Sequence, residues 1–238
     1  MALYDSLSGV YDRLFPVNPA TISTIEALIP PGVDKRILDL GAATGGHTEA
    51  FARRGWDALG IELNASMAQV ARDRAHVVQG SMTNAARLVE DDYGTAVRFA
   101  AVLCLGNTLP HLAPVEIVSF FLMVRSLLGR GAPFILQMLN YARPEIGPGY
   151  HFPDIESGNF KFSRNYEAGP EPGTLSFVTR FADGSGESTD ATVLHGHTHG
   201  MVRERLAEAG FREFTMWSGW DGKSFDPVRD TYLVLVAR

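Results

Sequence analysis

The sequence predicts an α/β fold: a seven-stranded, mostly parallel sheet with an antiparallel last strand, helices on both faces, and a small antiparallel β insertion after strand five. Three observations predict it. Ile37-Leu38-Asp39-Leu40 runs straight into the small-residue loop Gly41-Ala42-Ala43-Thr44-Gly45-Gly46, and a helical stretch follows at once, the signature of a βαβ unit. Further short apolar runs then alternate with helical stretches up to Leu139, as in parallel strands joined by crossover helices. From about residue 150 to 200 the pattern turns to alternation broken by Gly- and Pro-rich turns, which reads as inserted antiparallel strands.

In chain order, Asn18 followed by Pro19 is a helix start, and Thr21 to Leu28 reads as helical until Pro30-Pro31-Gly32 ends it. The first strand is Ile37 to Leu40, and the helix from His47 to Arg54 is closed by Gly55. Ala58 to Ile61 is the second strand and ends in Glu62. Asn64 caps a helix from Ala65 to Arg74. His76 to Gln79 is the third strand, ending at Gly80-Ser81-Met82. Phe99 to Leu105, apolar throughout, suits a central strand covered on both faces. The tip that follows it therefore lies at the carboxyl edge, where open α/β sheets bind ligands. Pro114 to Leu128 reads as an apolar helix capped by Gly129, and Phe134 to Leu139 as the fifth strand. The insertion contributes Phe160 to Tyr166, Thr174 to Phe181 and Ala191 to His199. A helix from Met201 to Ala209, ended by Gly210, precedes a closing pair, Phe214 to Trp217 and Tyr232 to Val236. The aromatic loop between them, Ser218 to Asp226, is expected to reach the cleft.

A chain of 238 residues with 45% apolar content suits one α/β domain with a modest elaboration. Its parts are an N-terminal lid and helix (1–30), a cofactor-binding core (31–145), a β roof over the substrate site (146–200) and a closing helix and strands (201–238). The net charge of −6, without a run of Lys or Arg, argues against a nucleic-acid partner and for a small molecule. A single cysteine, Cys104, forms no internal disulfide and reads as a packing residue, which suits a cytoplasmic location. No apolar stretch reaches the length of a membrane span, and no basic-then-apolar leader is visible. The oligomeric state is not readable.

The loop after Asp39 narrows the cofactor. A dinucleotide would place its pyrophosphate at the helix N-terminus, where an adjacent acid repels it. S-adenosylmethionine carries an ammonium and a sulfonium, for which Asp39 is an asset. Glu62, 21 residues after Gly41, can accept from a ribose diol. Gly41, Ala43 and Gly46 also fit a loosened dinucleotide fingerprint, so spacing alone leaves both cofactors open. A structural turn without ligand is the remaining alternative, against which loop, acid and downstream acid agree.

The stretch from Ile37 to Met67 resembles motif I and its continuation in class I S-adenosylmethionine-dependent methyltransferases, a Rossmann-like family. It keeps Asp39, Gly41 and Gly45 and departs at Ala43, where the family has a glycine. The resemblance implies that Asp39 partners the methionyl ammonium and that Gly41, Ala42, Ala43 and Gly45 floor the cofactor. It further implies that Glu62, followed by Leu63, takes the ribose and that Met67, Gly80, Ser81 and Met82 bound the adenine. Ser81 stands where the family commonly has an acid. The leader resembles the N-terminal lid of small-molecule methyltransferases, making Tyr11 and Arg13 candidates to touch the cofactor; a helix merely packed on the sheet is the alternative.

Two further segments, Cys104 to Leu112 and Gln137 to Tyr141, resemble glycine and sarcosine N-methyltransferase-like enzymes. That likeness places Leu105 beside the cofactor, Asn107, His111 and Asn140 at the reaction, and Tyr141 against the substrate. His111 also reads as a turn-stabilising residue. A carboxylate-bearing acceptor would want a cation, and Arg143 or Arg164 can provide one bidentately. A solvated strand arginine is the alternative for Arg164. His195, His197 and His199 alternate and read as a solvated strand face, with no metal expected. The implied reaction is methyl transfer from S-adenosylmethionine to a small acceptor, probed against two alternatives: a non-catalytic protein binding S-adenosylmethionine or S-adenosylhomocysteine, and a dinucleotide oxidoreductase.

Overall fold

The computed structural model describes residues 7–157, 160–183 and 186–238. Before the first strand the described residues form α1 (Tyr11–Leu14) and α2 (Pro19–Leu28). The second begins where the Asn18 side chain accepts from the Ala20 amide at 2.9 Å, with Pro19 in its first turn. Then β1 (Arg36–Leu40), α3 (Gly46–Ala52), β2 (Asp57–Glu62), α4 (Ala65–Arg72), β3 (Val77–Gln79), α5 (Ala85–Tyr93), β4 (Ala101–Cys104), α6 (Ile117–Leu127) and β5 (Phe134–Leu139) alternate. A second, antiparallel sheet follows: β6 (Ile155–Ser157), β7 (Phe160–Ala168), β8 (Thr174–Asp183) and β9 (Gly186–His195). The chain closes with α7 (His199–Glu208), β10 (Phe214–Trp217) and β11 (Tyr232–Ala237).

The main sheet has the order β10-β11-β5-β4-β1-β2-β3, parallel from β5 to β3, with β11 antiparallel to both neighbours. Successive residues of each strand point to opposite faces, so the sheet carries two cores. Leu38, Val102, Leu136 and Leu235 meet α5, α6 and α7 through Val89, Phe121, Val124 and Leu206. Ile37, Leu103, Ile135 and Val234 meet α2 and α3 through Ile22, Ile25 and Phe51. Both faces are covered, which explains why the central strands are apolar throughout. Cys104 is fully buried among these side chains, and burial pushes its thiol pKa upward, so it is a packing residue.

Several expectations are corrected. The apolar helix starts at Ile117, because Glu116 turns back to accept from the Ala113 amide at 2.8 Å. Gly129 is not its cap; its amide pairs with Phe99 O at 2.9 Å and extends the fourth strand's pairing beyond β4. The insertion has four strands, the short β6 having too few residues to announce itself. Its last strand stops at His195, and His199 opens α7 instead, with Thr198 as the capping residue. Helix α5 went unread because Glu90, Asp91 and Asp92 hide an apolar stripe of only two buried residues, Ala85 and Val89. In the aromatic loop after β10, Trp220 joins Trp217 against the α2-side core, and Thr24 donates to Trp220 O at 3.1 Å.

Gly41 adopts φ 79°, and a Cβ there would sit 2.5 Å from Thr108 Cγ2 and 2.9 Å from its hydroxyl. Gly41→Ala is therefore expected to cost about 2 kcal/mol, the sum of left-handed strain and crowding. Ala43 already holds φ 50°, so Ala43→Gly should change stability by less than about 0.5 kcal/mol, relieved strain offsetting added chain entropy. Thermal melting of the two variants tests the contrast.

Candidate cofactor and acceptor site

The parallel strands end on one edge, so the residues that follow them (Gly41, Leu63, Gly80, Leu105 and Asn140) converge there. The loop between β1 and α3 alternates in hand, with Gly41, Ala43 and Gly45 at φ 79°, 50° and 78°. It is held from β2: the Gly41 and Ala42 amides donate to Ile61 O at 2.8 and 3.1 Å, and the Ala43 amide to Glu62 Oε2 at 2.8 Å. Gly45 must lack a side chain because a Cβ would meet Ala71 and Ala75 of the α4 end at 3.1 and 3.2 Å. The loop thus accommodates an alanine at 43 by taking a left-handed alanine, not by opening.

Asp39 is buried, and its carboxylate accepts from Thr48 Oγ1 at 3.2 Å. Burial raises its pKa, with His47 and the Thr48 bond acting the other way. Glu62 is also raised by burial, against hydrogen bonds from the Asn64, Ala43 and Leu63 amides. A carboxylate has about four lone-pair positions, so both acids retain acceptor capacity. On α1, burial first, then the charges of Glu62, Asp12 and Asp39, push the Tyr11 phenol well above its ordinary value. This set of acceptors fits S-adenosylmethionine, because the buried Asp39 and the half-buried Glu62 keep room for an ammonium and for hydroxyl donors. Leu63, 56% exposed beside Glu62, awaits an apolar cover.

Met67, held inward by the Asn64 cap bond to its amide at 2.8 Å, is buried against Leu7, Leu14, Phe160 and Phe162. Met82 and Leu105 are buried at the strand tips, and Gly80 lies against Leu88. Ser81 caps the short 3-10 turn Met82–Asn84, accepting from Thr83 N at 3.2 Å and pairing with Thr83 Oγ1 at 2.8 Å.

At the fourth and fifth tips the structure revises three roles. Asn107, in a left-handed conformation at φ 65°, accepts from Leu139 N at 3.0 Å and donates to the phenols of Tyr141 and Tyr166 at 2.8 and 3.3 Å. The two phenols lie 2.9 Å apart. Its amide is fully engaged, so Asn107 acts as a positioning residue that joins β4, β5 and the roof strand β7. Asn140 is completely buried and donates to the carbonyls of Pro227 and Asp230, both at 2.9 Å; it fixes the β11 approach and does not face an acceptor. Arg143 is likewise absorbed by Arg229 O, Thr231 Oγ1 and Glu145. Tyr166, missed by the sequence reading, was visible only as the last member of the alternation Phe160, Phe162, Arg164, Tyr166. His111 is exposed on one side, while protein crowding the other draws its pKa down to about 4.

Arg164 lies half-buried on β7, not solvated. Its guanidinium stands 5.3, 4.9 and 5.4 Å from the rings of Phe15, Phe152 and Phe162, with one bond, from Nη2 to Pro153 O at 3.1 Å. Its Nε is buried without an acceptor among the described residues, and burial lowers its pKa. Arg13 points to the roof, its guanidinium 4.9 Å from the Phe160 ring, not to the cofactor loop. A cavity of about 540 Å³ lies under the turn joining β7 and β8, and of the residues above only Tyr141 lines it. The histidines do not share a solvated strand face: His197 is buried with Nε2 2.9 Å from Leu112 O, its ring stacked on His195, and His199 packs against Phe225. Among the described residues no group of three or more His, Cys, Asp or Glu is placed to hold a metal, and no helix is long and apolar enough to cross a membrane.

Residues 37–131 match the family model described as a methyltransferase domain. No curated protein matches the chain in sequence. Among solved structures, the CcbJ methyltransferase of Streptomyces caelestis is 21% identical with a TM-score of 0.77, over 98% of this chain and 95% of its own. The SAM-bound amino pentose methyltransferase CalS10 of Micromonospora echinaspora is 22% identical at 0.70, over 96% of each chain. The sugar N-methyltransferase KedS8 of a Streptoalloteichus species is 20% identical at 0.68, over 96% and 93%. At these identities the likeness to the solved structures is one of fold; the family match lies on the stretch that holds Asp39, the loop and Glu62.

Asp39→Asn should weaken S-adenosylmethionine by about 1–3 kcal/mol, since the ammonium loses its charged partner. The ligand-free variant should nevertheless melt at or above the wild-type temperature near about pH 8. The sign follows from the raised pKa: an acid that holds its proton more tightly when folded loses stability as pH rises through that value. Calorimetry and thermal melting check the two halves separately.

Proposed function

We propose that this chain, an S-adenosylmethionine-dependent methyltransferase, methylates the nitrogen of a small amine that also carries an anionic group such as a carboxylate. Arg164 carries the reading. A guanidinium removed from water is costly unless paired, and three aromatic faces offset only part of that cost. Among the described residues no carboxylate lies within ion-pair distance of it. An anionic group on the acceptor would supply the missing charge in a planar geometry that guanidinium matches. The likeness of segments 103–112 and 137–141 to glycine and sarcosine N-methyltransferase-like enzymes points the same way, toward an amine with a carboxylate. Two similarly folded proteins are described as amino pentose and sugar methyltransferases, which supports a small amine acceptor while allowing a larger body.

When bound, S-adenosylmethionine supplies a methyl group on an already activated sulfonium leaving group. The chain's part is alignment and exclusion of water. Asp39 would hold the methionyl ammonium of the bound cofactor and Glu62 its ribose hydroxyls. The roof residue Arg164 fixes the acceptor from above. Tyr166, two residues on along the same face of β7, is fixed by Asn107, which sets the height of the roof over the tips. In-line transfer asks no metal of these residues.

The amine must react through its lone pair, and His111 and the tyrosines described near the strand tips are not strong bases. His111, drawn down to about 4, is neutral and too weak to take a proton from an ammonium. The phenols of Tyr11, Tyr141 and Tyr166 are all raised and remain protonated. The acceptor is therefore taken as the free amine.

Two measurements test the reading. The rate at limiting acceptor should rise with pH until the acceptor's own ammonium is titrated, with no inflection from an enzyme group near neutrality; an inflection abolished in His111→Ala would contradict it. Turnover of an α-amino acid should exceed that of its carboxamide, and Arg164→Lys should raise the KM for the acid about tenfold while leaving S-adenosylhomocysteine affinity unchanged. Equal turnover of acid and carboxamide by the wild type would remove the anionic acceptor.

A further inference from the structure

The short helix α1 is fastened to the cofactor loop itself. Asp12 Oδ1 accepts from the Thr44 hydroxyl at 2.6 Å, and Thr44 is the buried loop residue between Ala43 and Gly45. Arg74, just past α4, closes the arrangement. Its Nη1 meets Asp12 Oδ2 at 2.8 Å, its Nη2 donates to Asp12 Oδ1 at 3.0 Å, and its Nε donates to Thr44 O at 2.9 Å. Glu49 of α3 stands 3.5 Å from the same guanidinium. The fit is close: a Cβ on Gly46 would lie 2.9 Å from Val17 and 3.8 Å from Asp12 Oδ1.

Two other contacts clamp the same helix to the roof. Arg13 of α1 lies over Phe160, and Arg164 of β7 lies over Phe15, so each side gives one cation and one ring. Leu7 and Leu14 add apolar contact to Met67, Phe160 and Phe162. Tyr11 is thereby packed against the Met67, Phe160 and Phe162 cluster, and Asp39 beyond the loop is only 3% exposed. An ammonium can reach Asp39 only if something moves. The roof is joined to the strand tips through Tyr166 and Asn107, whereas the side chains of Asp12 and Arg74 are 45% and 26% exposed, so water can compete for their bonds.

We propose that Asp12, Thr44 and Arg74 form a latch that governs cofactor exchange, locking the lid to the loop on which the cofactor rests. With the latch closed, Asp39 stays shut from solvent. Opening it frees the lid and relaxes the Thr44 carbonyl in one event, so entry of S-adenosylmethionine and exit of S-adenosylhomocysteine pass through the same open state. Arg74 is a positioning residue here: it acts through Thr44 and Asp12, not on the cofactor. The charge-assisted bonds are short and several share one guanidinium, so removing one partner should loosen the whole.

The test is stopped-flow measurement of S-adenosylhomocysteine association and dissociation for the full chain and for Asp12→Asn, Arg74→Met and the double variant, using intrinsic tryptophan fluorescence or a displaced fluorescent analogue. Each single variant should speed both association and dissociation about tenfold, a loss of about 1.4 kcal/mol from the closed lid. The double variant should be no faster than the quicker single, because the residues act as one unit. Thr44→Val, which removes only the hydroxyl, should give a smaller acceleration in the same direction. Rates within twofold of wild type in correctly folded variants would overturn the latch. So would faster dissociation with unchanged association, which would make these residues stabilisers of the bound state and not a gate.

Discussion

A carboxylate held out of water at the end of the first strand is the constraint on which the rest of the site depends. Asp39 sits in a parallel strand flanked by β2 and β4, with a long hydrogen bond from Thr48, so its charge is expensive until a cation arrives. The surroundings are arranged for that arrival. The loop after it turns by alternating left-handed residues, and the Glu62 carboxylate ties the loop down by accepting from the Ala43 amide. An acid in this position would repel a pyrophosphate, which separates this βαβ unit from a dinucleotide site of the same topology.

Most of this was legible in the sequence because it is local. The strand, the loop, the helix and the second acid lie within 26 consecutive residues, Ile37 to Glu62, and each is dictated by nearest neighbours. The Asn64 cap and the five parallel strands were readable for the same reason. What failed was non-local. Asn140 looks like a substrate contact until its partners appear, and they are backbone carbonyls 87 and 90 residues away. Arg143 is absorbed by the same segment 86 residues on. His197 is buried because Leu112 O, 85 residues distant, takes its ring nitrogen. A polar residue at a strand tip carries no mark of whether a distant carbonyl has already claimed it.

The second sheet is where the fold becomes particular. Its inner row, Phe160, Phe162, Arg164 and Tyr166, runs from the lid to the tips of β4 and β5. At one end it meets α1 through paired cations and rings, and at the other Asn107 binds it to the core. Asn107 tolerates a left-handed backbone at a cost of about 1 kcal/mol, and three side-chain bonds hold it there. Tyr150, Phe152 and Phe177 pack around Tyr166 in edge and tilted contacts, stiffening the wall beside Arg164. The roof is thus tied to the strand tips by side-chain bonds, while the lid is tied to the cofactor loop through the partly exposed Asp12 and Arg74.

The most direct measurement is a calorimetric titration of the wild-type chain with S-adenosylmethionine, S-adenosylhomocysteine and NAD in parallel. Micromolar binding of the first two, with no heat from NAD, is the expected result. Binding of NAD, or silence from both sulfur ligands, would contradict the role given to Asp39 and with it the arrangement built around that residue.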